Sequence, residues 1–193
     1  MPTLLADVAA NLDALTVTAA SQLPTMQIAN IRYSGSTLVI QPQPQESLGS
    51  ITTPWMPNIF RGTGTEARVN MTMNVPDEVR ESFELIEERV RDLMRSAFPK
   101  IDAIWHSATK PGGKYRSTLK AKINIAGDKA IRYIDADGNP VDPPTQWQQL
   151  AVLPLLAVRG VYVQRATAGL MVEVVACMVG AVQERKGEDL KFV

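Results

Sequence analysis

One cysteine, Cys177, and one histidine, His106, are all the sequence holds of two residue types on which much enzyme chemistry depends. A lone cysteine excludes an intramolecular disulfide and any multi-thiolate metal site. A lone histidine excludes multi-histidine metal centres and leaves one imidazole for any triad. Net charge is missing as well, because 20 Lys+Arg balance 20 Asp+Glu across 193 residues. That excludes a uniformly basic, histone-like protein, so any polyanion partner needs a local patch. Residues 1–31 contain no Lys or Arg, and so lack the basic region of an export signal and the Arg-rich face of a transit helix. The most apolar stretches, 150–163 and 169–182, are interrupted by Pro154, Arg159, Gly160 and Glu173. Both fall short of the roughly 20 residues that a spanning helix needs. With 45% hydrophobic and 21% charged residues, the expectation is a soluble intracellular protein that makes no use of a membrane.

Charge is spread unevenly along the chain. Residues 1–60 carry only Asp7, Asp13, Arg32 and Glu46, and include the run Gln41-Pro-Gln-Pro-Gln45, whose alternating prolines block helix and central strand. Apolar Leu5, Val8, Leu12 and Leu15 recur at helical spacing, and Thr37-Leu-Val-Ile40 reads as a short strand after the turn Ser34-Gly35-Ser36. The clearest helix is predicted over about 77–98. Pro76 suits its first turn, acids crowd its start, and Val79, Phe83, Ile86, Val90, Leu93 and Ala97 form one stripe ended by Pro99. Its other face carries seven acids and four arginines across 77–95, a net of −3, which makes it a poor polyanion contact.

From Lys114 the period becomes two. In Tyr115-Arg-Ser-Thr-Leu-Lys-Ala-Lys-Ile-Asn-Ile125 the odd positions are largely apolar, while the even ones are Arg116, Thr118, Lys120, Lys122 and Asn124. This is a strand with a core face and a basic face, and it places Tyr115 on the core side. Strands are also expected over 129–135, 160–165 and 170–179, the last two as a hairpin, with 150–158 as a buried strand or short helix. The fold class read from these elements is α+β and mainly β: a small barrel or open antiparallel sheet with one long packed helix. The expected organisation is an N-terminal region 1–60 (part of the same fold or an arm), a binding domain 61–182 and a flexible tail 183–193.

Seven cations, Lys110, Lys114, Arg116, Lys120, Lys122, Lys129 and Arg132, stand against the single acid Asp128 in residues 110–132, a net of +6. Tyr115 and Tyr133 are interleaved with them. Cations neutralise phosphates, and aromatic faces stack unpaired bases without reading sequence. A solvated sheet edge rich in lysine is the competing explanation of the same pattern.

Other motifs are weak. Asp135-x-Asp137-x-Asn139 begins like a calcium loop, but Pro140 stands where glycine is needed and Gln146 where a bidentate Glu is needed, so it reads as a turn. Arg61-Gly-Thr-Gly-Thr-Glu66 lacks both a Walker lysine and a dinucleotide fingerprint, which leaves Arg61 and Arg68 as minor phosphate contacts. No pair of carboxylates stands out as acid and base. The sequence points to no catalytic residue, no metal site and no cofactor.

The segment Pro111-Gly-Gly-Lys-Tyr-Arg-Ser-Thr-Leu-Lys-Ala-Lys-Ile123 is followed by Tyr133-Ile-Asp-Ala-Asp-Gly-Asn-Pro-Val141 and later by 153–163, with Gly160-Val-Tyr162, and 170–179. With the preceding helix, this order resembles the OB-fold-like single-stranded-DNA-binding proteins of large DNA viruses and T7-like bacteriophages. The resemblance spans about residues 75–180. It implies an OB-like barrel that covers unpaired DNA in replication or recombination without a chemical step. Its nucleic-acid face would be Lys114, Arg116, Lys120 and Lys122, with Tyr115, Tyr133 or Tyr162 as stacking platforms. RNA, a homo-oligomeric state and replication proteins are the further partners that this reading leaves open. The family's phage branch ends in a strongly acidic tail, whereas residues 184–193 here hold three acids and three bases. Two alternatives remain beside it: a structural or assembly protein, such as a viral particle component, and an enzyme or small-ligand protein using the Gly62–Gly64 loop.

Overall fold

The computed structural model describes residues 2–23, 26–43, 49–57 and 68–180, with the backbone alone for 20–23. In chain order the elements are β1 (Thr3–Leu4), α1 (Leu5–Ala10), a single 3-10 turn (Leu12–Ala14), β2 (Leu15–Leu23), β3 (Met26–Tyr33), β4 (Ser36–Gln41) and β5 (Thr52–Thr53). They continue with β6 (Arg68–Val75), α2 (Asp77–Ala97), β7 (Ile104–His106), β8 (Thr109–Lys110), β9 (Ser117–Asn124), β10 (Arg132–Ile134), β11 (Leu150–Gln164) and β12 (Thr167–Val179).

The two most apolar stretches form one long hairpin, β11–β12, because both faces of these strands are covered and neither needs alternating polar residues. Of the two readings of 150–158, the buried strand holds, and it runs through Pro154 without a break. The Val152 N–H donates to the Ile51 carbonyl (2.9 Å), and an N–H two residues on would point to the same edge. Among the described residues no strand pairs with that edge at Pro154, since β5 pairs at Leu150 and Ala151 while β4 joins only at Leu156. β4 then takes Leu156–Val158 and β3 takes Gly160–Val163, so one edge of β11 serves three strands in turn. The opposite edge of β12 likewise takes β7, β9 and β10, all in parallel.

Following the pairs β11–β5–β6–β9–β12 and back to β11 closes a five-membered ring. The fold is therefore α+β and OB-like: a closed barrel with a mixed sheet rather than an open antiparallel one. Its interior is filled by alternate residues, among them Met71, Met73, Leu119, Ile123, Leu156, Val158 and Val161, each fully buried. Strands β1 to β4 extend the sheet beyond the ring, and among the described residues β2 pairs with β3 alone.

The expected long helix is α2, and it buries Val79, Phe83, Ile86, Val90 and Met94 against α1, β2, β8 and β9. The stripe differs from expectation at its end, where Met94 is buried and Ala97 exposed. Glu87 joins the buried face, accepting hydrogen bonds from the Ser107 hydroxyl (2.5 Å) and the Ala108 N–H (2.8 Å). Burial pushes its carboxyl above the usual range, against the opposing pull of these donors and of nearby Trp105. The helix is thereby tied to the segment leading into β8.

Near the N-terminus the helix ends at Ala10, because Leu12 and Leu15 turn into the 3-10 turn and β2. The Asp135 motif is a turn, as expected. Its Oδ1 accepts the N–H groups of Asp137 (2.9 Å) and Asn139 (2.8 Å), and these bonds, that from Asn139 first, lower its carboxyl's pKa. Cys177 is buried in β12 with its thiol pushed up to about 12 by desolvation. Among the described residues no helix is long and apolar enough to cross a membrane.

Candidate nucleic-acid interface

β9 has the two faces its sequence dictates. Ser117, Leu119, Ala121 and Ile123 are buried, while Lys120 and Lys122 point outward and are exposed. Along the strand these two lysines are about 7 Å apart, since alternate residues share a face. The partner strand β6 alternates in step: Val69, Met71, Met73 and Val75 enter the core, and Arg68, Asn70, Thr72 and Asn74 face out. Register sets Asn70 beside Lys122, Thr72 beside Lys120, and Asn74 beside Thr118. Next in the row come Lys110, beside Thr118, and Thr52, whose hydroxyl accepts from the Asn74 amide (3.3 Å).

The result is a continuous outer face whose residues are cationic or neutral hydrogen-bonding groups. Among the described residues one acid lies in register with it. Glu173 of β12 lies in register with Lys122, but it is only 7% exposed and its carboxylate accepts from Arg159 Nε (2.8 Å) and from the Asn124 amide. Arg132, exposed on β10, and Lys129, exposed in the turn before it, continue the positive surface beyond β9. Such a face has a positive potential and donors for phosphate oxygens along its length.

A tight loop between β8 and β9 presents Lys114, Tyr115 and Arg116, all exposed. The Tyr115 N–H donates to the Gly112 carbonyl (2.8 Å), and the Gly112 N–H donates to the Ser117 hydroxyl (3.2 Å). A Cβ at residue 112 would run into the backbone of Tyr115 and Arg116, and Gly113 has φ +56°, so the paired glycines are required for this turn. Arg116 Nη1 donates to the Ser50 carbonyl (3.2 Å), which holds the loop against the segment before β5. Asp77 and Glu78 border the same groove as Lys114 and Arg116. The Ser117 hydroxyl (2.6 Å) and Arg80 hold the Asp77 carboxyl below its ordinary range. These acids offset the loop's charge, so the positive field is strongest over the strands.

The three expected aromatic platforms separate. Tyr115 is 78% exposed, with Lys114 Nζ 5.8 Å from its ring centroid, and not on the core side where the alternation placed it. The strand begins at Ser117, and the glycine turn before it breaks the parity. Tyr133 is 8% exposed and packs edge-on against Trp147 at 5.9 Å, with its hydroxyl pushed up to about 12 by burial. It is a core residue with no face left for a base. Tyr162 is half-buried beside Gly169, away from β9. Sequence reasoning missed β6, although Val69-Asn-Met-Thr-Met-Asn-Val75 alternates as strictly as β9; it lacks the charge that drew attention to β9. Arg68 proves to be part of the face, while Arg61, the Gly62–Gly64 loop and the tail 183–193 lie outside the described residues.

No family model and no curated protein sequence matches this chain. Among the solved structures that resemble its fold are two phage proteins. One is gp2.5, a single-stranded DNA binding protein encoded by bacteriophage T7, with a TM-score of 0.51 and 12% identity over 76% of this chain and 96% of that one. The other is the C-terminally truncated single-stranded DNA-binding protein of bacteriophage Enc34, with a TM-score of 0.50 and 9% identity over 87% of this chain and 96% of that one. At these identities the likeness is one of fold.

Proposed function

We propose that this chain binds single-stranded DNA without regard to sequence and performs no chemical step on it. The observation that carries this reading is the outer face of β6 and β9, where Arg68, Lys120 and Lys122 are interleaved with Asn70, Thr72, Asn74 and Thr118. Phosphates of an extended strand would follow the cations, with release of counterions as the main driving term. The neutral side chains would donate to phosphate and sugar oxygens, which position a strand but specify no base. Tyr115, exposed beside the face, would stack one base. Two solved proteins with this fold are single-stranded DNA-binding proteins, which supports the reading. It extends to coating of unpaired strands by several copies during intracellular replication or recombination.

Fluorescence anisotropy of a labelled oligothymidine of about 30 nucleotides tests the proposal. The expected result is binding that weakens steeply with added salt and that an unlabelled duplex of equal length does not displace. A chain that binds neither form at low salt, yet assembles into salt-resistant oligomers, would be an assembly protein instead.

A further inference from the structure

Among the described residues seven large hydrophobic side chains are exposed, and two of them, Trp55 (55% exposed) and Met56 (52%), stand next to each other between Pro54 and Pro57. The backbone beneath them is anchored. Thr53 is fully buried, and its hydroxyl donates to the Trp147 carbonyl. The Gln149 N–H donates to the Thr53 carbonyl (2.7 Å), Pro57 is buried, and Pro54 fixes its own φ. Trp55 is therefore an indole held out into solvent by a rigid segment. Beside it runs a shallow groove whose other lining includes Thr145, Trp147 and Gln148.

Position ties this indole to the cationic face. Thr52 stands in register with Asn74, and antiparallel pairing directs the chain that follows toward the level of Thr72, the row that holds Lys120. A Trp and a Met offer a few hundred Å² at most, well short of the roughly 800 Å² per partner of a stable protein interface. They do match the size of a nucleobase.

We propose that Trp55 is a stacking platform for one base of the same single strand whose phosphates follow Lys120 and Lys122. The inference rests on the function proposed above. Base–indole stacking tolerates any sequence because every base has a π-face, and Thr145 and Gln148 present hydrogen-bonding groups at the groove's edge to whichever base is seated. Tyr115, exposed in the loop that Arg116 holds against Ser50, would supply a second aromatic side chain to the same strand.

The test uses the full chain as wild type, Trp55→Ala and Trp55→Phe, with oligothymidine and an abasic oligonucleotide of equal length. Trp55→Ala is expected to weaken oligothymidine binding roughly tenfold or more while leaving abasic binding unchanged, and Trp55→Phe to keep most of the affinity. Oligothymidine should quench the intrinsic fluorescence of wild type, and Trp55→Phe should abolish most of that quenching. Equal binding of oligothymidine by wild type and Trp55→Ala would overturn the stacking role while leaving the DNA-binding face standing. An equal loss on both oligonucleotides would overturn it too, by showing a structural role. A wild type that binds neither would remove the proposed function and this inference with it.

Discussion

Replacing Lys120 and Lys122 together by alanine lowers affinity for single-stranded oligonucleotides by roughly tenfold to a hundredfold, and by the same factor for every sequence. Both side chains point outward from the middle of β9 in the middle of the face, so each is placed to meet a phosphate rather than a base edge. Loss of two phosphate contacts should also lower the slope of log K against log salt by about 1.4, since each contact to a single strand contributes about 0.7. Folding should change little, because Leu119, Ala121 and Ile123 hold the strand in the barrel and the lysines lie outside it. Anisotropy titrations at several salt concentrations, with urea unfolding as the control, measure all three quantities. An unchanged slope would mean that the phosphates run elsewhere.

Replacing Phe83 by alanine lowers the stability of the fold by about 3–5 kcal/mol, a large share of the roughly 5–15 kcal/mol that holds a domain together. Phe83 lies in the middle of the buried face of α2 and has no exposed surface. The helix closes the core shared by α1, β2, β8 and β9, and none of these can shift into the vacated volume without losing strand pairing or its own buried contacts. Equilibrium urea unfolding measures the loss. A change below about 1 kcal/mol would show that α2 is dispensable to the core. DNA affinity at temperatures where the variant stays folded should be close to wild type, because Phe83 is fully buried and forms no part of the outer face.

How much of this was legible in the sequence follows from the range of the forces involved. α2 and β9 were legible because periodicity is local: a stripe at spacings of three and four, and strict alternation at two, need no partner to be read. β2 and β3 carry small and polar residues, such as Thr16-Val-Thr-Ala-Ala-Ser21, and take their strand form from pairing with each other and, for β3, with β11. Pro154 looked like a break because a proline's missing N–H matters only where a neighbour needs it, and that depends on where β4 and β5 attach.

The lysines of the candidate face were likewise readable from β9 alone, whereas Thr52, Arg68 and Lys110 reach it through pairings across up to 56 positions, that of Arg68 with Asn124 being the longest. Tyr115 and Tyr133 were misjudged in opposite directions for one reason. A tyrosine among lysines gives no local sign of which side it faces; the glycine turn settles the first and parallel pairing with Cys177 the second.

Backbone amide mapping of the full chain during titration with oligothymidine tests the central claim most directly. The account predicts that the largest shifts fall on residues 68–74 and 117–124 and on the loop at Lys114 to Arg116, with the acidic outer face of α2 at Glu81 and Glu88 unmoved. Shifts centred on α2 or on the β2–β3 hairpin, with β6 and β9 silent, would contradict it.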